Sequence, residues 1–479
     1  MSTQPLWTPD AMADAMQAQI GGAMPAAIHG LSIDSRTIAP GDAYFAIKGD
    51  LHDGHAFVEA ALKAGATLAV VSRGKRDQFA ADAPLLVVED VLQGLVDLAK
   101  ASRARLGAKV IAVTGSVGKT STKEMLRQVL EKQGTTHASV ASFNNHWGVP
   151  LSLARCPADT AFAVFEIGMN HAGEITPLVA LVRPHIAIVT TIEPVHLEFF
   201  KNVEAIADAK AEIFSGVEPG GVAVLNRDND QFARLKRHAK KAGIANIVAF
   251  GAHKTADARL LDVALHATCS AVHADILDYD VTYKLAMPGR HMALNSLAVL
   301  AATSLAGADL ARSALALSQI QATAGRGVRK TLEFLHGSAT LIDESYNANP
   351  ASMAAALNVL GQARVGPRGR RIAVLGDMLE LGPTGADLHR SLAAAVTANG
   401  IDAVFCCGPL MQNLWDALPS SRRGGYAENS ALLESQVVAA LRDGDAVMIK
   451  GSLGSKMKVI VSALEKRFPD KAAHDDAAV

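Results

Sequence analysis

Val110-Ile111-Ala112-Val113-Thr114-Gly115-Ser116-Val117-Gly118-Lys119-Thr120-Ser121 decides how this chain is read. Val110 to Val113 has the apolar, β-branched character of a short buried strand. A turn punctuated by Gly115 and Gly118 follows. Thr122 to Gln133 then reads as a helix, because Met125, Leu126, Val129 and Leu130 recur at helical spacing and Gly134 stops them. A strand, a glycine turn and Lys-Thr at a helix start build a cradle for phosphate. Backbone N–H groups and the positive helix end face the anion, Lys119 adds a charge, and the Thr120 hydroxyl can hold Mg²⁺. The spelling departs from the common Gly-x-x-x-x-Gly-Lys form, since Val113 stands where the first glycine belongs. A tight turn with a surface lysine accounts for many isolated Gly-Lys-Thr triplets. Here strand and helix flank the triplet in the right order, which favours nucleotide binding.

Composition sets the frame around this stretch. A chain of 479 residues, 49% of them hydrophobic, has the apolar matter for about three domains. A net charge of −1 gives no support for a nucleic-acid partner or an anionic membrane surface. Cys156, Cys269, Cys406 and Cys407 show no Cys-x-x-Cys spacing, which fits a reducing compartment rather than a disulfide scaffold or zinc ribbon. The opening Met1-Ser2-Thr3-Gln4-Pro5-Leu6 lacks a basic region followed by an apolar run, so no signal peptide is expected. Met292 to Ala308 is broken by Asn295, Ser296, Thr303 and Ser304 and reads as a buried helix rather than a membrane span. A soluble, cytoplasmic protein without membrane insertion is the expectation.

Three units follow from the alternation of strands, helices and turns. Residues 1–107 contain a helix from Pro9 to Gln19, a strand-like run from Leu31 to Thr37, further strands at Ala43–Ile47 and Leu85–Val88, and a helix from Val91 to Leu106. Asp34-Ser35-Arg36 and His52-Asp53-Gly54-His55 gather polar groups beside turns, where ligands are usually met, although taken alone each is more often turn chemistry or a solvated edge. Residues 108–323 carry the cradle, a loop rich in side-chain amides from Ser142 to Pro150, and a strand over 161–168. Glu166 emerges near the end of that strand, a lone carboxylate after an apolar run and a candidate for Mg²⁺. Residues 324–479 open on the glycine-flanked Arg326 and alternate strands with helices, the rhythm of a parallel α/β domain. Lys471 to Val479 reads as a frayed tail.

Lys210 is the least expected residue. Val203, Ile206, Lys210 and Ile213 share one helical stripe, which places an amine on the apolar face. One account is a lysine whose head snorkels to water. The other is a desolvated lysine whose neutral, reactive form is favoured.

Taken together, the short cradle, Asn144-Asn145-x-x-Gly148-x-Pro150, Glu166, His196, Lys210, the pair His291/Asn295 and Arg326 resemble the Mur ligases, ATP-dependent amide ligases of peptidoglycan precursor synthesis. Within that family, Asp343-x-x-Tyr346-Asn347-Ala348-Asn349-Pro350 and Leu375-Gly376-Asp377-Met378-Leu379-Glu380-Leu381-Gly382 are similar to the type that adds D-alanyl-D-alanine to UDP-N-acetylmuramoyl-tripeptide. The resemblance implies an α/β architecture of three domains, with a central P-loop ATPase domain and a Rossmann-like C-terminal domain that takes the amine. It implies that the cradle from Thr114 to Thr120 holds the ATP phosphates and that Thr120 and Glu166 share one Mg²⁺. Lys210 would be carbamylated by CO₂ and, helped by His196, would hold a second Mg²⁺. His291 and Asn295 would meet the adenine region and Arg326 the phosphates. Ser35 and Arg36 would grip the UDP end of the substrate, while Asn144, Asn145, Tyr346 and Asn347 would line the substrate path. Where the family commonly has two aspartates, this chain has Asp343-Glu344, so either could meet the ATP ribose. The catalytic set expected is Lys119, His196 and Lys210, in a protein acting as a monomer on small molecules and not on nucleic acid.

Such an enzyme transfers the γ-phosphoryl group of ATP to a peptide carboxylate, and the incoming amine then displaces phosphate. The sister ligase that adds the third amino acid would need an Asp-Asn-Pro-Arg run, which is absent from the sequence. A folylpolyglutamate synthetase shares the cradle but not Tyr346-Asn347-Ala348-Asn349-Pro350. A nucleotide-switch protein would need Asn-Lys-x-Asp, and Asn226-Arg227-Asp228-Asn229 does not supply it.

Overall fold

A computed structural model describes residues 5–195 and 197–470. Three sheets organise them. In the N-terminal unit, Gly30–Ser32, Asp42–Phe45, Leu68–Ser72 and Leu85–Val88 run parallel, and Gln19–Gly21 adds an antiparallel edge. The central sheet has nine strands, in the order Tyr279–Leu285, Ser270–Ile276, Ala258–Leu265, Asn246–Gly251, Val222–Asn226, Ile186–Val189, Lys109–Thr114, Phe162–Glu166, Thr136–Ala138. The antiparallel pairs of this sheet are those that Ser270–Ile276 makes with Ala258–Leu265 and with Tyr279–Leu285. The C-terminal unit sets a Val328–Phe334/Gly337–Glu344 hairpin beside four further strands. Ala446–Lys450, the last in sequence, is inserted between Gly337–Glu344 and Arg371–Gly376. Such an insertion opens a crevice at the strand ends, where ligands bind in open α/β sheets.

Several element boundaries depart from the sequence reading. The first helix stops at Met16 because Gln17 turns left-handed (φ 51°), and Gln19–Gly21 pairs as a strand instead. The run Leu31 to Thr37 is a strand only through Ser32. The Asp34 carboxylate then accepts from the Arg36 N–H and bends Ser35–Thr37 into a 3₁₀ turn. The cradle helix begins at Lys119 rather than Thr122, after Gly118 at φ 85°, where an added Cβ would lie 2.7 Å from Asn295 Nδ2. The amide-rich loop ends early, since Gly148–Ala154 is helical. The Lys210 helix is α only to Ala211 and finishes as a 3₁₀ turn. Arg290–Leu305 is a largely buried helix, and no helix among the described residues is long and apolar enough to cross a membrane. The tail from Lys471 lies outside the described residues.

The units join in two ways. The helix Val91–Arg105 gives Leu95 and Leu98 to the N-terminal core and Ala99 to the central one. Leu151 and Ala154 of the central unit enter the N-terminal core in return. Trp7 completes this joint, donating Nε1–H to the Ala154 carbonyl at 2.9 Å while the Arg105 guanidinium lies 3.5 Å from its ring centre. The C-terminal unit has its own apolar clusters, and among the described residues none is shared with the central unit. Its connection is the turn around Gly325, at φ 72°.

Candidate active cleft

The cradle sits where the central sheet places neighbouring strand ends side by side. Val113 and Glu166 are register partners, so the end of Phe162–Glu166 lies against the start of the glycine turn. Thr120, on the first turn of the helix, donates its hydroxyl to Glu166 Oε2 at 2.8 Å, and Asn144 Nδ2 donates to Glu166 Oε1 at 2.7 Å. Glu166 and Thr120 are 1% and 3% exposed, so this hydroxyl–carboxylate pair is a dry, oxygen-only site at the foot of the cleft. Two hard oxygen donors beside a phosphate cradle fit Mg²⁺, which takes one or two protein oxygens and fills the rest of its octahedron with phosphate and water.

Lys119 folds back to donate to the Gly115 carbonyl at 2.7 Å and the Ser116 carbonyl at 3.4 Å. Burial lowers its ammonium from the ordinary lysine range; Glu166 opposes this and Arg326 adds to it. The turn is braced from the next strand, with Ser116 N–H on the Thr191 carbonyl and the Thr190 hydroxyl on the Val117 carbonyl. Thr114 is part of this bracing rather than of the cleft wall, since its buried hydroxyl donates to the Ile167 carbonyl at 2.8 Å.

The stripe argument for Lys210 holds: the side chain is 1% exposed. Desolvation, reinforced by the like charge of Lys119, holds its amine well below the ordinary lysine range. Of the two sequence accounts, the snorkelling head is excluded. His196 lies outside the described residues.

The cleft, with a volume of about 640 Å³, takes walls from two units. The cradle residues Ser116 to Thr120, Asn144, Glu166, His291 and Asn295 form the central side, and Arg326, Glu344, Tyr346, Asn347 and Lys450 face them. Arg326 bridges the walls, donating to the Ser142 hydroxyl at 3.2 Å while stacking over Tyr346 at 4.3 Å. The Asp343-Glu344 alternatives separate by strand alternation. Asp343 is turned inward, where Ser345 N–H, Ser345 hydroxyl and Lys458 occupy its carboxylate. Glu344 lines the cleft, with Lys450 3.3 Å away. Of the two alternatives, Glu344 and not Asp343 therefore faces the cleft.

Asn145, Ser35 and Arg36 lie outside the cleft wall. Asn145 caps the following helix, accepting from Gly148 N–H at 2.9 Å, and does not line the cleft. Ser35 and Arg36 lie on the N-terminal unit, outside the cleft wall, with the exposed Arg36 held by Asp34. Sequence reading missed Lys450 and the buried Lys123. Lys450 follows four apolar strand residues and precedes a Gly-Ser turn, the same strand-end position that singled out Glu166. Lys123 shares its helix face with Leu126 and Leu130 at i+3 and i+7, so the stripe argument used for Lys210 would have found it.

A phosphate cradle, an Mg²⁺-compatible oxygen pair and a cleft closed by a second α/β unit define a P-loop nucleotide-dependent enzyme of several domains. Family models match along the chain in order: the Mur ligase family catalytic domain over residues 27–103, the Mur ligase middle domain over 113–303, and the Mur ligase glutamate ligase domain over 332–453. The chain belongs to the Mur ligase family, whose members are ATP-dependent. It is 34% identical to the UDP-N-acetylmuramoyl-tripeptide–D-alanyl-D-alanine ligase of Rickettsia prowazekii, covering 90% of this chain and 94% of that one. The ligase of the same name from Escherichia coli is 33% identical over 95% and 97%. A crystal structure of MurF from Acinetobacter baumannii aligns with a TM-score of 0.81 at 28% identity, covering 96% of this chain and 99% of that one. MurF from Thermotoga maritima, in complex with ADP, has the same fold, with a TM-score of 0.73 at 24% identity over 91% and 97%.

Proposed function

We propose that this chain is an ADP-forming amide ligase that joins D-alanyl-D-alanine to the peptide carboxylate of UDP-N-acetylmuramoyl-tripeptide, in the cytoplasmic stage of peptidoglycan synthesis. The observation that carries the reading is the Thr120–Glu166 contact of 2.8 Å beside Lys119, at the foot of a cleft walled by two units. The likeness to ligases of that name over nine-tenths of the chain supports the choice of substrates. We place the unit boundaries near residues 107 and 323, where the shared helix ends and the glycine turn begins.

A carboxylate is a poor electrophile and is activated as an acyl phosphate, from which the dipeptide amine displaces phosphate. Lys119 exchanges the Gly115 and Ser116 carbonyls for phosphate oxygens and balances charge on the transferring group. Thr120 and Glu166 would hold Mg²⁺, and Lys210, once its neutral amine has taken up CO₂ and lost a proton, would offer a carboxylate-like ligand to a second, with His196. Bound there, Mg²⁺ supplies Lewis-acid neutralisation of phosphoryl charge. Arg326 follows the phosphates from the opposite wall, Glu344 faces the ribose, and His291 with Asn295 faces the adenine. Tyr346, Asn347 and Asn144 border the reacting ends, while Ser35 and Arg36 take the distant UDP. All these walls come from one chain, so a monomer suffices.

The test is phosphate release by purified protein. It should require ATP, UDP-N-acetylmuramoyl-tripeptide and D-alanyl-D-alanine together. Equal turnover with a diamino acid and a dipeptide acceptor would transfer the assignment to the sister ligase.

A further inference from the structure

Lys123 is 0% exposed, yet it makes no part of the cleft wall. Its Nζ donates to the carbonyls of Ser139 at 2.6 Å and Ala141 at 2.9 Å, and pairs with Glu124 at 2.6 Å. Glu124 is itself held by Arg127 at 2.8 Å. Burying an ammonium is costly even when it is paired, and an apolar side chain of this length would serve a purely structural helix face as well or better. What an apolar side chain cannot do is draw two carbonyls of an irregular segment to one point. Between those carbonyls Val140 is turned outward, 56% exposed, and Ala141 is left-handed at φ 48°, a conformation that a non-glycine residue keeps only when its surroundings enforce it.

The segment so gripped leads directly to the cleft. The Ser139 hydroxyl accepts from Glu166 N–H at 3.4 Å, Ser142 meets Arg326, and Asn144 donates to the Glu166 carboxylate. Lys123 is four residues beyond Lys119 on the cradle helix itself. We propose that Lys123 is a positioning residue: it clamps the 139–144 segment to the phosphate-loop helix and thereby sets Asn144 against Glu166. The helix that starts at the phosphates thus also aims the group that orients the carboxylate.

The kinetic part of the test rests on the ligase reading, but the exchange part does not. In Lys123→Met, amides of residues 139–144 should lose hydrogen-exchange protection in the ligand-free protein, while the helix Lys119–Leu130 keeps its own. The Mg²⁺ concentration for half-maximal ligation should rise about 10–100-fold, the range for losing a group that orients a metal ligand. The KM for the dipeptide should not change. Combining Lys123→Met with Asn144→Ala should cost no more than Asn144→Ala alone, because both act through one contact. Lys123→Gln, which keeps a donor, should restore part of the protection and carries the same test should the methionine variant not fold. Unchanged exchange over 139–144, protection lost along the whole helix, or penalties that multiply in the double variant would each overturn the proposal. A wild-type protein without ligation, alongside the predicted exchange change in Lys123→Met, would instead overturn the ligase reading and leave the clamp standing.

Discussion

Between the N-terminal and central units, Trp7 meets the Ala154 carbonyl inside an apolar core that both units fill. Between the central and C-terminal units, Arg326 reaches Ser142 across a cleft, and the Glu198 N–H meets the Glu380 carbonyl at 3.4 Å. Opening the first joint would expose buried Leu95, Leu98 and Leu151, a penalty that scales with apolar area. Opening the second exchanges polar contacts for water, which costs about 0.5–1.5 kcal/mol for each neutral hydrogen bond. The difference teaches which part moves: the first two units should behave as one body, and the third should close on it through the turn at Gly325.

The largest effect should come from attacking the apolar joint. Trp7→Ala should cost about 3–5 kcal/mol of stability, as large-to-small core changes do, measured by urea unfolding. The N-terminal and central units should still unfold in a single step. A separate early transition of the N-terminal unit in the wild type would break the comparison. Chemistry should fall on the other joint. Lys119→Ala and Lys210→Ala should each lower kcat by about 10²–10³-fold. Added acetate should restore part of the rate for Lys210→Ala and none for Lys119→Ala, whose missing charge is positive. An active Lys210→Ala variant would sink the carbamate.

Arg326→Ala should weaken ATP use by roughly 1.5–3 kcal/mol, the range for a hydrogen bond to a charged group. It should also enlarge the radius of gyration of the ligand-free protein in X-ray scattering. An unchanged radius would mean that the bridge does not hold the cleft. The smallest effect concerns His389, which is fully buried in the C-terminal unit. Its Nε2 accepts from Met378 N–H at 2.9 Å, so the proton sits on Nδ1, facing the Gly385 carbonyl at 2.6 Å. Burial lowers its pKa, so below about pH 6.5 the unfolded chain binds a proton that the folded one refuses. Stability should therefore fall as pH drops through that range. A His389→Gln variant with the same pH dependence as the wild type would remove this contribution.

Where the sequence was read through periodicity, it was read well. The strand before the cradle, the apolar face of the helix after it and the burial of Lys210 all follow from spacing, because packing imposes it. Short polar runs were harder. Asp34 and Asn145 use their side chains on their own backbone, and that local competition is invisible to a strand or loop pattern. Asp343 and Glu344 are chemically close, and only the pleat of the strand tells which one faces the cleft. Lys123 was missed for another reason: lysine is assigned to water by type, and its partners are carbonyls sixteen and eighteen residues away.

The helix Val91–Arg105 carries one more consequence, for how the chain is made. When it leaves the ribosome, every strand of the N-terminal sheet has already been synthesised, so that unit can collapse around Leu95 and Leu98. The opposite face, with Ala99 and the following Leu106, awaits partners as far along the chain as Val182. At about 5–20 residues per second, the nascent chain carries an uncovered greasy strip for roughly 4–15 s. Nascent chains halted near residue 150, once the helix has cleared the exit tunnel, should therefore cross-link to a holdase chaperone through this helix, and chains halted past residue 230 should not.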